Sequence, residues 1–301
     1  MRSDKEKLEQ IKRIAIISLF SDDELMDKFV LKGGNALSLI YKLIQRESID
    51  IDVSIEEDFE NVEKTINKIR ELLVQNFDEN NYYAFDIILS EKPRIQDKYE
   101  ELKSFWGGYR LEFKVIEKDM FNKLNGDIEK IRKSALILGN GEKKNFKIDI
   151  SKWEYCKGKE AKDLDDYTIY VYSPLMIVYE KLRAICQQNM KYKTIVPTMS
   201  RSPRPRDFYD IYYVLKNLPE IDITDMANLE ILKSIFEIKK VPLYFLEELE
   251  NDFDYHNSEY AKLQVTVEQN TELEEFRFYF DFIKERIDSI KFFWEEQMPA
   301  I

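Results

Sequence analysis

Residues 29 to 55 constrain this chain more than any other stretch. A short apolar run, Phe29-Val30-Leu31, reads as a strand and ends at Lys32-Gly33-Gly34. Asn35 is placed to cap a helix running through Leu37, Ile40, Tyr41 and Ile44. Asp50-Ile51-Asp52-Val53-Ser54-Ile55 then alternates polar and apolar residues with period two, as a half-buried strand does. Two glycines after a strand let the backbone approach a ligand with its N–H groups outward. The helix N-terminus beyond them adds positive potential, so a triphosphate is a natural occupant. Asp50 and Asp52, two apart on a strand, project from one face. Carboxylates that close repel when ionised unless a divalent cation lies between them, and Mg²⁺ (or Mn²⁺) with bound phosphate suits such a hard-oxygen pair.

Around this stretch the expected elements mix strands and helices and then turn helical. Residues 5–20 form a helix with Leu8, Ile11, Ala15 and Leu19 on one face, and a charged amphipathic helix covers about 61–76. Further strands are expected at 83–89, 109–116, 146–150 and 167–172. Pro174 stands close to the start of a helix carrying Met176, Tyr179, Leu182 and Ile185. In the last helix Leu273, Phe276, Phe280, Ile283, Ile287, Ile290 and Trp294 recur at steps of three and four, the seam of a bundle core. The expected fold is therefore α+β, with an α/β domain over 1–165 (a mixed sheet flanked by helices) and a helical bundle over 166–301. The segment Pro197–Arg206, PTMSRSPRPR, reads as an exposed loop between two helices, and its arginines suit a phosphate backbone.

Composition removes many chemistries. The two cysteines, Cys156 and Cys186, form no C-x-x-C pair, and the polar N-terminus is no secretory leader. A reduced, cytoplasmic, soluble protein without a disulfide scaffold or cysteine zinc site is expected. The one histidine, His256, lies in the acidic stretch DFDYHNSEY and reads as a surface or capping residue. Ser-His-Asp and multi-histidine metal chemistry are thereby set aside, leaving carboxylates, lysine and arginine. A net charge of -12 argues against a general nucleic-acid coat. Yet Lys181 to Arg206 holds seven basic residues and no acidic one, so the segment is +7 and the remainder -19. Such a local cationic stretch suits phosphates.

The motifs Lys32-Gly33-Gly34-Asn35-Ala36-Leu37 and Arg46-x-Ser48-x-Asp50-x-Asp52 resemble the AbiEii/AbiGii toxin-type nucleotidyltransferases, within the DNA-polymerase-β-like superfamily. Glu180-Lys181-Leu182-Arg183-Ala184 and Arg206-Asp207-x-x-Asp210-Ile211-Tyr212 extend the resemblance to roughly residues 28–216. It implies that Asp50 and Asp52 bind metal, that Ser48 sits beside the incoming phosphates and that Lys181 contacts the triphosphate. Asp207 or Asp210 completes the site, and Arg183 and Arg206 support those residues. Ser38 stands where the family often has a basic residue. Lys147-Ile148-Asp149-Ile150-Ser151 is a short alternating strand of the kind on which polymerase-β-like enzymes carry a third carboxylate. Asp149 is either that carboxylate, which deprotonates or orients the attacking hydroxyl, or a solvent-facing strand residue. Asp207, two residues after Pro205, is either catalytic or a first-turn carboxylate favoured by the helix dipole.

The implied reaction is in-line attack of an acceptor hydroxyl on the α-phosphorus of a nucleoside triphosphate, with pyrophosphate leaving. The resemblance implies RNA, tRNA ends in particular, as acceptor, and a toxin paired with a cognate antitoxin or acting in phage abortive infection. Two rival readings are nucleotide binding without turnover, with the aromatic C-terminal helix as docking face, and γ-phosphate transfer. No Walker or kinase motif set accompanies the second.

Overall fold

All six segments read as strands form one mixed sheet in the computed structural model, which describes residues 4–44, 46, 48, 50–137, 144–267 and 273–295. They are β1 (Val30–Lys32), β2 (Ile51–Ser54), β3 (Tyr82–Glu91), β4 (Gly108–Glu117), β5 (Phe146–Ser151) and β7 (Tyr167–Val171). A seventh, β6 (Glu160–Leu164), was not anticipated. Its sequence EAKDL has no β-branched or aromatic residue. It pairs antiparallel with β7 through a hairpin whose Asp165 and Asp166 both have positive φ, the two-residue turn that matches strand twist. The sheet order is β3-β4-β5-β2-β1-β7-β6. β2 runs parallel to β5 and β1 parallel to β7, and the other neighbours are antiparallel.

Alternation divides the centre of this sheet into two unlike faces. Leu31, Val53 and Ile150 are aligned across β1, β2 and β5, and Ile51, Ile148 and Leu111 across β2, β5 and β4. All six are buried. The helix α2 (Val62–Glu79) supplies Ile69, Leu73 and Phe77 at steps of four, also buried, and the Phe77 ring meets Phe113 of β4 edge-on at 5.7 Å. Burying each such side chain contributes roughly 1.5–3 kcal/mol. Asn61 caps α2 by accepting the Lys64 N–H, and α1 (Asp4–Phe20) packs alongside. The opposite face carries the polar residues of the same strands.

The chain divides into two units, each with its own core. The first comprises Met1–Asn35, Ser48–Asp97 and Trp106–Val171 and holds the sheet with α1 and α2. The second comprises Ala36–Glu47, Lys98–Phe105 and Tyr172–Ile301 and is helical. Its α3 (Pro174–Cys186) starts as the sequence requires, with Pro174 in the first turn and Ser173 accepting the Met176 N–H. α3 packs on α4 (Pro205–Asn217) and α5 (Met226–Glu237), and α4 packs on α6 (Phe276–Ile290). Phe276, Phe280, Ile283, Ile287 and Ile290 of α6 are buried, with Phe280 stacked on Phe208 at 5.5 Å, so the stripe is core. The mixed sheet and helical C-terminal part are the expected α+β architecture.

The helix expected from Asn35 to Ile44 is different. Helical structure begins at Gly33 and becomes π-helical over Ala36–Ile40, with the Tyr41 N–H bonded to the Ala36 carbonyl. A left-handed Lys42, φ 55°, stops it before Ile44.

Candidate active site

In the sheet unit, four charged residues stand in one row across four neighbouring strands. Arg110 of β4 faces Asp149 of β5, Asp149 faces Asp52 of β2, and Asp52 faces Lys32 of β1. Laterally paired residues share a face, so the row lies on the polar side. Asp50 sits at a bend immediately before β2, not within the strand, and is exposed, while Asp52 is half-buried. Gly33 is why Asp52 fits. A side chain there would place its Cβ 2.7 Å from Asp52 Oδ2, and the backbone φ of +69° is one that L residues rarely adopt. The glycine pair was expected to bring the backbone close to a ligand; within the protein Gly33 makes its close approach to Asp52, and Gly34 is buried beside it.

Asn35 does not cap the helix, because the helix starts two residues earlier. Its amide instead donates to the Asp50 carbonyl at 2.6 Å and fixes the backbone that presents that carboxylate. Lys32 is buried: its ammonium bonds Ser151 Oγ at 3.2 Å and lies 3.5 Å from Glu154 Oε1. Ser48 is half-buried. Asp149 is half-buried. Both its oxygens are held at 2.6 Å by the Nε and Nη2 of Arg110, a bidentate fork. Hydrogen bonding to Asp149, against a smaller opposing effect of burial, raises the Arg110 pKa, and the nearby Asp50 charge adds to it.

Among the described residues no three His, Cys, Asp or Glu side chains gather as a metal-holding group. The carboxylates that could hold a cation are those of the exposed Asp50 and the half-buried Asp52. Magnesium commonly takes one or two carboxylates plus substrate phosphates and water, so this pair of hard oxygen donors fits it without Asp149.

The helical unit gathers the other motif residues into a buried ion cluster. Lys181 of α3 lies 2.6 Å from Asp207 and 2.7 Å from Asp210, both on α4. Arg46 grips Asp210 from the other side with Nε at 2.6 Å and Nη2 at 2.5 Å, and Arg204 reaches Asp207 at 3.2 Å. Burial pushes the Asp207 carboxyl up, but Lys181 and Arg204 outweigh it and hold the group at about 2. Asp210 is likewise lowered, burial being overcome by Arg46 and Lys181. Burial depresses the Lys181 ammonium, yet the two aspartates keep its pKa above the ordinary value. Asp207 is a first-turn carboxylate of α4 and is at the same time buried in this ion cluster. Arg183 pairs with Glu180, on a different face from Lys181, and Arg206 is exposed.

The stretch from Lys181 to Arg206 is not a bare cationic patch. Lys191 pairs with Glu248 and Arg201 with Asp252, so carboxylates from later in the chain neutralise much of it. Nor is the loop before α4 simply exposed: Met199 is buried, and Arg201 also donates to the Gln188 carbonyl. Of the two readings of His256, capping is the one that the structure shows. It is 0% exposed, and its Nδ1 accepts the Arg204 N–H at the start of α4, so it caps but is not on the surface. Burial, with help from Arg204, lowers its pKa to about 4. Cys156 and Cys186 are free and buried.

Arg110 and Arg46 are the participants that the sequence left unassigned. The alternation of GYRLEFKVIE puts Arg110 on the polar face, but its partner depends on strand order. Arg46 and Asp210 are 164 residues apart.

The site in the sheet unit is thus a glycine turn packed on Asp52 beside the exposed Asp50. The family model described as nucleotidyl transferase AbiEii toxin, type IV toxin–antitoxin system, matches residues 15–282, and the protein belongs to that family. No curated protein matches the sequence. Among solved structures, an antigenic nucleotidyltransferase-like protein from Paracoccidioides brasiliensis is similar at 12% identity, with 86% of this chain and 93% of that one covered and a TM-score of 0.32. No described helix is long and apolar enough to cross a membrane.

Proposed function

We propose that this protein transfers a nucleoside monophosphate from a nucleoside triphosphate to an acceptor hydroxyl of RNA, tRNA ends first among them. In this reading it uses Mg²⁺ (or Mn²⁺) held by Asp50 and Asp52 and acts as a cytoplasmic toxin countered by a cognate antitoxin. The observation that carries it is the seating of Asp52 against the side-chain-free Gly33, with Asp50 exposed two residues away. The toxin role and the partner rest on family membership.

Each residue has a defined task. Gly33 leaves room for the Asp52 carboxylate and, with Gly34, offers backbone N–H groups to the β- and γ-phosphates. Asn35 fixes the Asp50 backbone. Lys32 ties the end of β1 to Ser151 and Glu154 and keeps the row in register. A divalent cation held by Asp50 and Asp52 would supply Lewis acidity, to activate the attacking hydroxyl and to neutralise charge on the departing pyrophosphate. In the helical unit, Lys181, Arg46 and Arg204 share two carboxylates, which holds Lys181 in one orientation and leaves the cluster as a whole with one net positive charge.

The test is incubation of the protein with Mg²⁺, each α-³²P-labelled nucleoside triphosphate, total RNA and total protein. Label entering RNA is expected. Label on protein would keep the reaction and change the acceptor, and transfer only from a γ-labelled nucleotide would replace nucleotidyl by phosphoryl transfer.

A further inference from the structure

The row across the sheet has direction. Asp52 lies between β1, which leads into Gly33, and β5, which carries Asp149 with Arg110 one strand further out. Neighbouring strands are about 4.8 Å apart. An in-line displacement puts leaving pyrophosphate and attacking oxygen on opposite sides of the α-phosphorus. With the triphosphate on the Gly33 side, the acceptor hydroxyl arrives on the side of β5 and β4. Arg110 stands there, its guanidinium oriented by Asp149 through a two-point fork, and neither residue is sealed off: their side chains are 20% and 30% exposed. Asp149 takes only the Nε and one Nη2 donor, so N–H groups remain for a second oxyanion. A neutral acceptor has no use for such a group. An anionic one needs it, because Asp50 and Asp52 would otherwise repel it.

We propose that Arg110 binds a phosphate of the acceptor next to the attacking hydroxyl, and that Asp149 is its positioning residue and not a metal ligand. The acceptor is thereby a phosphate-bearing hydroxyl compound, a nucleic acid or nucleotide, as opposed to a serine, threonine or tyrosine side chain. This rests on the nucleotidyl-transfer reading.

The experiment measures label transfer from the α-³²P nucleotide to total RNA with parent, Arg110→Met, Arg110→Lys, Asp149→Asn and the Arg110→Met/Asp149→Asn double variant. RNA and Mg²⁺ are titrated separately, and filter binding of the same RNA is recorded without nucleotide or metal. Losing a charge-assisted contact should raise the half-saturating RNA concentration of Arg110→Met roughly 10- to 100-fold. Binding without metal should weaken in parallel, and half-saturating Mg²⁺ should stay within about twofold. Arg110→Lys, which keeps the charge and loses the fork, should fall between parent and Met. Asp149→Asn should show a smaller shift of the same kind, and the double variant should equal Arg110→Met, since Asp149 acts through Arg110. Loss of transfer at every RNA concentration in Asp149→Asn, with a raised Mg²⁺ requirement, would overturn the proposal and make Asp149 a third metal carboxylate. So would an Arg110→Met variant with unchanged RNA saturation and binding. A parent that moves no label removes the underlying reading and this one with it.

Discussion

Gly33→Ala is expected to damage catalysis out of proportion to its effect on stability. The substitution asks alanine to adopt φ +69°, a left-handed conformation that costs an L residue about 1–2 kcal/mol. It also sets a methyl group 2.7 Å from Asp52 Oδ2 and 3.3 Å from its Cβ and Cγ. Ordinary contact starts near 3.4 Å, so the carboxylate must retreat by roughly 0.7 Å. Misplacing a reacting group by about 1 Å can cost 10²-fold in rate, and a drop of roughly 10- to 100-fold in kcat is therefore expected. Gly126 supplies the control. It has φ +80° and nothing within 4 Å of the place a methyl group would take, so Gly126→Ala carries the backbone strain without the clash. Urea denaturation should show both variants about 1–2 kcal/mol less stable than the parent. Only Gly33→Ala should lose nucleotidyl transfer. Equal activity in the two variants would refute the claim that Gly33 exists to seat Asp52.

Asp210→Asn leaves Arg46 and Lys181 short of a buried counter-charge, and urea denaturation should show a loss of about 3–5 kcal/mol; a loss under about 1 kcal/mol would mean the cluster does not stabilise the helical unit. The Asp207 carboxyl is held at about 2 in the folded protein against an ordinary 3.8. Its contribution to stability is accordingly complete above pH 3.8 and fades as pH falls towards 2, and Asp207→Asn should flatten that part of an acid-unfolding profile. For His256 the folded value, about 4, lies below the ordinary 6.5, so the unfolded chain takes up the proton first and stability declines as pH drops from 6.5 to 4. With one histidine in the chain, a single imidazole NMR signal should stay neutral until about pH 4, and titration near 6.5 would contradict its burial.

Strands were legible because one face of this sheet is apolar: residues such as Ile51-x-Val53 and Ile148-x-Ile150 announce their period without any tertiary information. β6 escaped because it is an edge strand held by a hairpin turn, with little apolar surface to bury. Asp50 and Asp52 could be singled out since two carboxylates beside a glycine pair have few physical purposes. What is invisible in one dimension is register and partnership. Arg110 faces Asp149 only because β4 and β5 are neighbours, and the cations between Lys181 and Arg206 look unopposed until Asp210, Glu248 and Asp252 are brought to them. His256 among acidic neighbours reads as a surface or capping residue; it caps and is buried, because Phe208, distant in sequence, brings its ring to within 5.3 Å. The helix after the glycines failed for a local reason, the π-turn and the left-handed Lys42, which residue preference does not report.

The central claim is that Asp50 and Asp52 carry nucleotidyl transfer, and pyrophosphate release tests it most directly. Parent and an Asp50→Ala/Asp52→Ala variant, matched for fold by circular dichroism, are compared with nucleoside triphosphate, total RNA and Mg²⁺, each with and without EDTA. Removing groups that act as one catalytic unit should lower release by roughly 10³-fold or more, to the level EDTA produces in the parent. Release by the folded variant at the parent's rate would contradict the account.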